Sequence, residues 1–186
     1  MTSGRRLRKF LFNILFLVFC IVVAYYLSNY MFVSIPIKGD SMEHTIHDKD
    51  MVITYKLGKY NVGDVVIFDT ELSYNQEDKR LIKRIIGLPG DKIEIRYHDD
   101  GNYYVYRNDE MVMEEYTNKD NPMSNTMETV VVPEGKFFFL GDNRGASMDS
   151  RMGILGDLDS IIGRGVLRYQ PNDKKFDLTV VKRASG

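Results

Sequence analysis

Apolar and polar residues alternate on two different schedules along this chain. From Phe10 to Leu27, eighteen consecutive residues are apolar apart from Asn13 and the tyrosines Tyr25 and Tyr26. At 1.5 Å per residue a helix of that length covers about 27 Å, close to the hydrocarbon thickness of a bilayer. Arg5, Arg6, Arg8 and Lys9 precede the run. A cleavable signal peptide shares the basic start and apolar middle, but its apolar region is usually shorter and ends in small residues. Here the exit reads Tyr25-Tyr26-Leu27-Ser28-Asn29-Tyr30-Met31, with no A-x-A pattern. The pattern predicts an uncleaved transmembrane anchor over residues 10–29. Residues 1–9 form a basic cytoplasmic N-terminus, and residues 30–186 lie on the extracytoplasmic side of the cell membrane by the positive-inside bias. Cys20 then sits in lipid as filler.

Beyond the anchor the runs are short, β-branched or aromatic, and broken by turns. Ile35 and Ile37, then 51–55, 64–68, 80–86, 92–98, 103–107, 128–132, 136–140, 161–169 and 177–181 read as strands. Leu88-Pro89-Gly90-Asp91 and Val132-Pro133-Glu134-Gly135 place proline at the second turn position, and residues 99–102 tolerate positive φ. No stretch after the anchor carries a long helical period, and no repeat recurs at fixed spacing. The expected fold is mostly β, one N-terminal transmembrane helix followed by a partly closed antiparallel β-sheet domain. Residues 108–127, acidic and rich in Asn, Met and Thr, read as a mobile excursion between strands.

Composition narrows the function. The formal net charge is -1, but with four basic residues ahead of the anchor the remainder carries 21 basic against 26 acidic side chains. Nucleic acid is therefore not an expected partner. A single cysteine among 186 residues allows neither an intrachain disulfide nor a thiolate metal cluster. Common metal sites need three or four ligands, and Glu43 and Asp48 lie in a segment without helical geometry to align them with His44 and His47. These two histidines and His98 read as solvated, and no metal or cofactor is expected. Gly87-Leu88-Pro89-Gly90 lacks the spacing of a phosphate-binding loop.

Two residues carry candidate chemistry. Ser41 follows Gly39-Asp40 just after a short strand, where it is a turn residue, a helix cap or a nucleophile that a substrate backbone can approach. Lys83 lies within Leu81-Ile82-Lys83-Arg84-Ile85-Ile86, where alternation sends Lys83 and Arg84 to opposite faces, so one of the two cations faces inward or the strand is a charged edge. A lysine among apolar neighbours has a lowered pKa and can serve a serine as general base.

Together with Gly141-Asp142-Asn143-Arg144-Gly145-Ala146-Ser147-Met148-Asp149-Ser150-Arg151, these pieces resemble the type I signal peptidases, the membrane-bound Ser/Lys serine endopeptidases, in their Gram-positive form. The likeness runs from the anchor to about Arg168. It rests on four blocks in order: Gly39 to Ile46, Val62 to Phe68, Lys83 to Asp91 and Gly141 to Arg151. The resemblance implies Ser41 as nucleophile, Lys83 as general base and Ser147 as the hydroxyl that orients the lysine. It implies Asp149 and Arg151 as a bracing pair, with Asp142 and Arg144 as scaffold in the same loop. Taken singly, these loop residues equally fit Asx turns and a surface salt bridge. The backbone of Ser41 would serve the oxyanion. Gly39 occupies the place where some members carry a second hydroxyl donor, leaving that donor to backbone or water. His44 replaces the proline usual in the S-M-x-P-T sequence.

The implied activity is removal of N-terminal signal peptides from secreted preproteins after a small-x-small motif, beside the lipid bilayer and the secretion machinery. Ile35, Ile37 and Ile82 would line shallow pockets for small side chains, or serve as ordinary core. Met42, also a candidate substrate contact, and Tyr30 to Val33 would dip into the interface, or equally be helix-exit residues that tolerate headgroups. A dedicated or non-catalytic assembly factor for pili or other surface proteins, of the same descent, is the alternative.

Overall fold

In a computed structural model that describes residues 3–70 and 80–178, the apolar N-terminal run forms one helix, α1 (Ser3–Met31). It is longer than the apolar run alone because its first turns take in the basic cluster, and it is solvent-exposed from Gly4 to Tyr30. Nothing among the described residues packs on that surface. It is long and apolar enough to cross a membrane.

Strands follow at once. They are β1 (Phe32–Pro36), β2 (Met51–Tyr55), β3 (Val65–Asp69), β4 (Arg80–Gly87), β5 (Lys92–Tyr97), β6 (Tyr103–Arg107), β7 (Glu110–Met111), β8 (Met127–Val131), β9 (Lys136–Leu140), β10 (Gly156–Asp157), β11 (Ile161–Gln170) and β12 (Lys175–Asp177). The larger sheet runs β1-β2-β11-β3-β4-β9-β10, with β12 beside the end of β11; a smaller one runs β7-β6-β5-β8. Every pairing is antiparallel, and neither sheet closes into a barrel. The turn chemistry behaves as its residues dictate. Pro89 precedes Gly90 at φ +88°, and the Asp91 N–H closes the turn on the Leu88 carbonyl at 2.9 Å.

Three apolar clusters hold the sheets. Ile37, Met42, Ile46, Val52, Val65, Ile67 and Ile82 pack beneath the segment after β1. Val66, Phe68, Ile85, Phe137 and Phe139 form an aromatic-rich second cluster. Ile86, Ile93, Ile95, Val105, Met123, Val132, Phe138 and Leu140 join the two sheets. The share of β4 in all three explains its run of buried residues from Ile82 to Gly87.

Three sequence expectations change. β4 is no charged edge: β3 and β9 flank it, and Lys83 and Arg84 are both buried. Both cations can face inward because each face of the strand is covered by protein. Residues 108–127 are not a loose excursion, since they form β7, bury Asn118 and Met123, and dock on the loop after β9. The strand expected over 177–181 coincides with β12 only at Asp177: β12 lies earlier, Leu178 is not in a strand, and 179–181 lie outside the described residues.

Candidate active site

β1 ends at Pro36, and Ile37 is held by paired backbone bonds, its N–H to the Asp50 carbonyl and its own carbonyl to the Lys49 N–H. Gly39 then turns the chain at φ +87°, a conformation a side chain would strain. Its N–H donates to Asp48 Oδ1 at 3.0 Å. Gly39 therefore shapes the turn, and its N–H is committed to Asp48. The Ser41 N–H has no acceptor among the described residues.

Ser41 sits half-buried beyond this turn, and its Oγ is hydrogen-bonded to Lys83 Nζ. Burial pushes the Lys83 ammonium down to about 8 from an ordinary 10.5, against the opposing pull of Asp149 and Asp142 and with a small further push from Arg151. The cause is plain in the fold: Lys83 comes from an interior strand and is 2% exposed.

The loop after β9 supplies the surroundings. Asp149 accepts from Arg151 Nε at 2.7 Å and from the Gly141 N–H at 3.1 Å, so the pair read from the sequence is present and fastens both ends of the loop. Asp142 is fully buried and takes two hydrogen bonds from Arg84, at 2.9 and 2.6 Å, and one from Thr45 Oγ1 at 2.5 Å. Arg84 also donates to the Gly63 carbonyl and lies over the Tyr116 ring, 3.9 Å from its centroid. Burial would lower the Arg84 pKa, but Asp142 more than offsets it and the guanidinium stays charged. Ser147 Oγ is buried without a hydrogen-bond partner, so the expected contact with Lys83 is not made. It lies against Gly141, where an added Cβ would stand 2.2 Å from Ser147 Oγ and 2.4 Å from the Ser41 carbonyl oxygen.

Ser41 and Lys83 open onto a groove of about 550 Å³ lined by Ile35, Ile37, Ile82, Ile67, Ala146 and Met148. The three isoleucines named from the sequence all reach it, although Ile37 and Ile82 are also core residues. Met42 does not. It is 1% exposed and packed in the core beneath the turn, so it reaches neither groove nor lipid. Tyr30 and Phe32 do remain exposed at the helix exit. His44 is exposed and faces Asp120 at 3.8 Å, whereas His47 lies beside Arg168 and Asp50, and His98 bonds Tyr106.

Several residues around the site were invisible to sequence reasoning. Glu114 binds both terminal nitrogens of Arg144, at 2.7 and 2.5 Å, and Tyr116 donates to Glu114 at 2.8 Å. Glu114 lies 30 positions from Arg144, and no local pattern links the two. The one available signal was the run of acids just before Tyr116.

Residues 10–170 match the family model described as signal peptidase, peptidase S26. The chain belongs to that family. Signal peptidase IB of Staphylococcus aureus is 34% identical over 171 residues, covering 81% of this chain and 84% of that one. Signal peptidase I of Bacillus licheniformis is 33% identical over 150 residues, 74% of this chain and 76% of its own. Signal peptidase I S of Bacillus subtilis is 35% identical over 151 residues, with the same coverage. A crystal structure of a signal peptidase I from Enterococcus faecalis aligns at TM-score 0.46 and 30% identity, over 58% of this chain and 97% of that one. As a member of this family the protein is a serine-type peptidase, a hydrolase, with the mostly β fold and N-terminal apolar helix described above.

Proposed function

We propose that this protein is a membrane-anchored endopeptidase that removes signal peptides from preproteins after a small-x-small motif, with Ser41 as nucleophile and Lys83 as general base. The observation that carries the reading is the hydrogen bond between Ser41 Oγ and a lysine whose burial brings its pKa to about 8. A neutral Lys83 amine takes the hydroxyl proton as Oγ attacks the scissile carbonyl. The Ser41 N–H faces the developing oxyanion. Collapse of the tetrahedral intermediate breaks the peptide C–N bond, and the Lys83 ammonium returns the proton to the leaving amine. Water, activated by the same amine, then hydrolyses the ester and regenerates Ser41. Asp142, Arg144, Asp149, Arg151 and Ser147 hold the loop against the pair.

β1 lies at an edge of the larger sheet, with one side unpaired. An extended peptide added there would direct alternate side chains into the groove, where the isoleucines leave room for alanine-sized groups. With α1 spanning the membrane, residues 1–9 lie in the cytoplasm and 30–186 beside emerging preproteins. The test is mass spectrometry of a preprotein with an A-x-A site after incubation with the detergent-solubilised protein, alongside Ser41→Ala and Lys83→Met. One cut after the second small residue, lost in both variants, is expected. Absence of cleavage by folded, reconstituted wild type across several preproteins would leave the assembly-factor alternative standing.

A further inference from the structure

Residues 114–121 grip the loop after β9 at four points. Besides the Glu114–Arg144 pair, the Asn118 N–H donates to the Asp142 carbonyl at 3.0 Å, Asn121 Nδ2 to Asn143 Oδ1 at 2.8 Å, and the Gly145 N–H to the Asn121 carbonyl at 3.0 Å. The packing is tight, since a Cβ on Gly145 would stand 1.9 Å from Asn121 Oδ1. The gripped loop in turn holds the nucleophile's own backbone. Asn143 Nδ2 donates to the Asp40 carbonyl at 2.9 Å, and the Asn143 N–H to the Ser41 carbonyl at 3.1 Å. Arg144 Nε holds the Gly141 carbonyl at 2.9 Å. Only short 3-10 turns interrupt this loop, so these contacts, together with the Asp149–Arg151 pair, hold its shape.

We propose that Glu114 and Asn121 are positioning residues. Acting through Arg144 and Asn143, they set how closely the loop stands against Asp40 and Ser41, and so hold Ser41 Oγ in line with Lys83. The inference rests on the Ser/Lys reading above. Arg144 and Glu114 are 3% and 10% exposed, so Glu114→Gln keeps the shape of the pair but leaves a buried guanidinium without its counter-charge. Asn121→Asp keeps volume and turns the donor facing Asn143 Oδ1 into an acceptor. If the Asn143 amide flips to accommodate it, the contact with Asp40 is forfeited, so either arrangement loosens the nucleophile's segment.

The test uses the full-length protein in detergent with an A-x-A preprotein, well below its melting temperature. Both variants are expected to lose kcat by about 10- to 100-fold with KM within about twofold, because a misplacement of about 1 Å costs turnover rather than binding. The rising limb of the pH profile should stay in place, since the charges acting on Lys83 are Asp149, Asp142 and Arg151. Wild-type kcat in folded Glu114→Gln and Asn121→Asp, with only the melting temperature lowered, would make the contacts a mere brace and overturn the assignment. Should Glu114→Gln fail to fold, Asn121→Asp alone decides it. Ser41→Ala and Lys83→Met are run in parallel. If they cleave like wild type, the Ser/Lys reading falls and takes this one with it. If they are inactive while the other two are unimpaired, only the positioning role falls.

Discussion

A lysine titrating at about 8 is roughly a tenth neutral at pH 7, so cleavage should climb with pH and level off above about pH 9. Initial rates across that range, in wild type and in His44→Ala, check this; a limb that follows His44 instead would overturn the dyad. Stability carries the same shift. The folded-state pKa lies below the unfolded value, so between about pH 8 and 10.4 the unfolded chain holds the extra proton and stability rises with pH. Below that window the penalty for burying the charge is fully present, roughly 3 kcal/mol. Lys83→Met should thus be more stable than wild type at neutral pH, with the difference vanishing towards pH 10 in urea titrations. Gly141→Ala tests the neighbouring backbone: its methyl would press on the Ser41 carbonyl, which cannot yield as a side-chain tip does. A loss of about 10²-fold in cleavage rate is expected from a fold that survives. That Ser41 and Lys83 would meet was legible only through the resemblance of four blocks in order, because local spacing alone left one as a turn residue and the other as an edge charge. Arg84 was not legible, since a cation beside a cation reads as an exposed edge until Asp142, 58 positions away, is brought to it.

The longer strands were read from the sequence with small boundary shifts, because period-two alternation and proline–glycine turns are local signals, whereas the two-residue strands β7 and β10 carry no period to read. The excursion over 108–127 was misread for the complementary reason: its polar residues satisfy partners in another loop, and composition cannot tell a polar group that is solvated from one that is docked. Asp142→Ala should cost about 3–5 kcal/mol in chemical denaturation, because it removes the carboxylate that takes two hydrogen bonds from the buried Arg84 guanidinium. Ile35 and Ile37 separate groove from core within one segment. Ile35 is only partly buried, so Ile35→Trp should fill the groove and depress cleavage of an A-x-A preprotein by more than about tenfold with little change in melting temperature. Ile37 is 5% exposed and packs with Val52 and Val65, so Ile37→Trp should cost about 1–3 kcal/mol as well.

At the scale of the whole molecule, helix and sheets depend little on each other. Among the described residues α1 stays exposed from Gly4 to Tyr30 and meets the β-domain only at its last turn, so a chain beginning at Phe32 should melt within a few degrees of the full-length protein. It should cleave a soluble peptide at a similar rate, yet lose about 10²-fold on a preprotein embedded in vesicles, where shared anchoring supplies effective concentration. The division was legible in the sequence because a bilayer and an aqueous core demand different patterns. The two-sheet arrangement was not, since pairing β4 with β9 depends on chain closure over some 50 residues. No residue separates α1 from β1, and the Lys56 N–H donates to the Met31 carbonyl at 3.0 Å, so the sheet is seated on the end of the helix. Ten residues then lead from Met31 to Ser41, at most about 35 Å of chain. With the helix in a bilayer, as proposed, the hydroxyl would work as a depth gauge. A scissile bond would then be chosen first by how far its own membrane segment lets it stand from the surface, and only afterwards by the side chains that flank it.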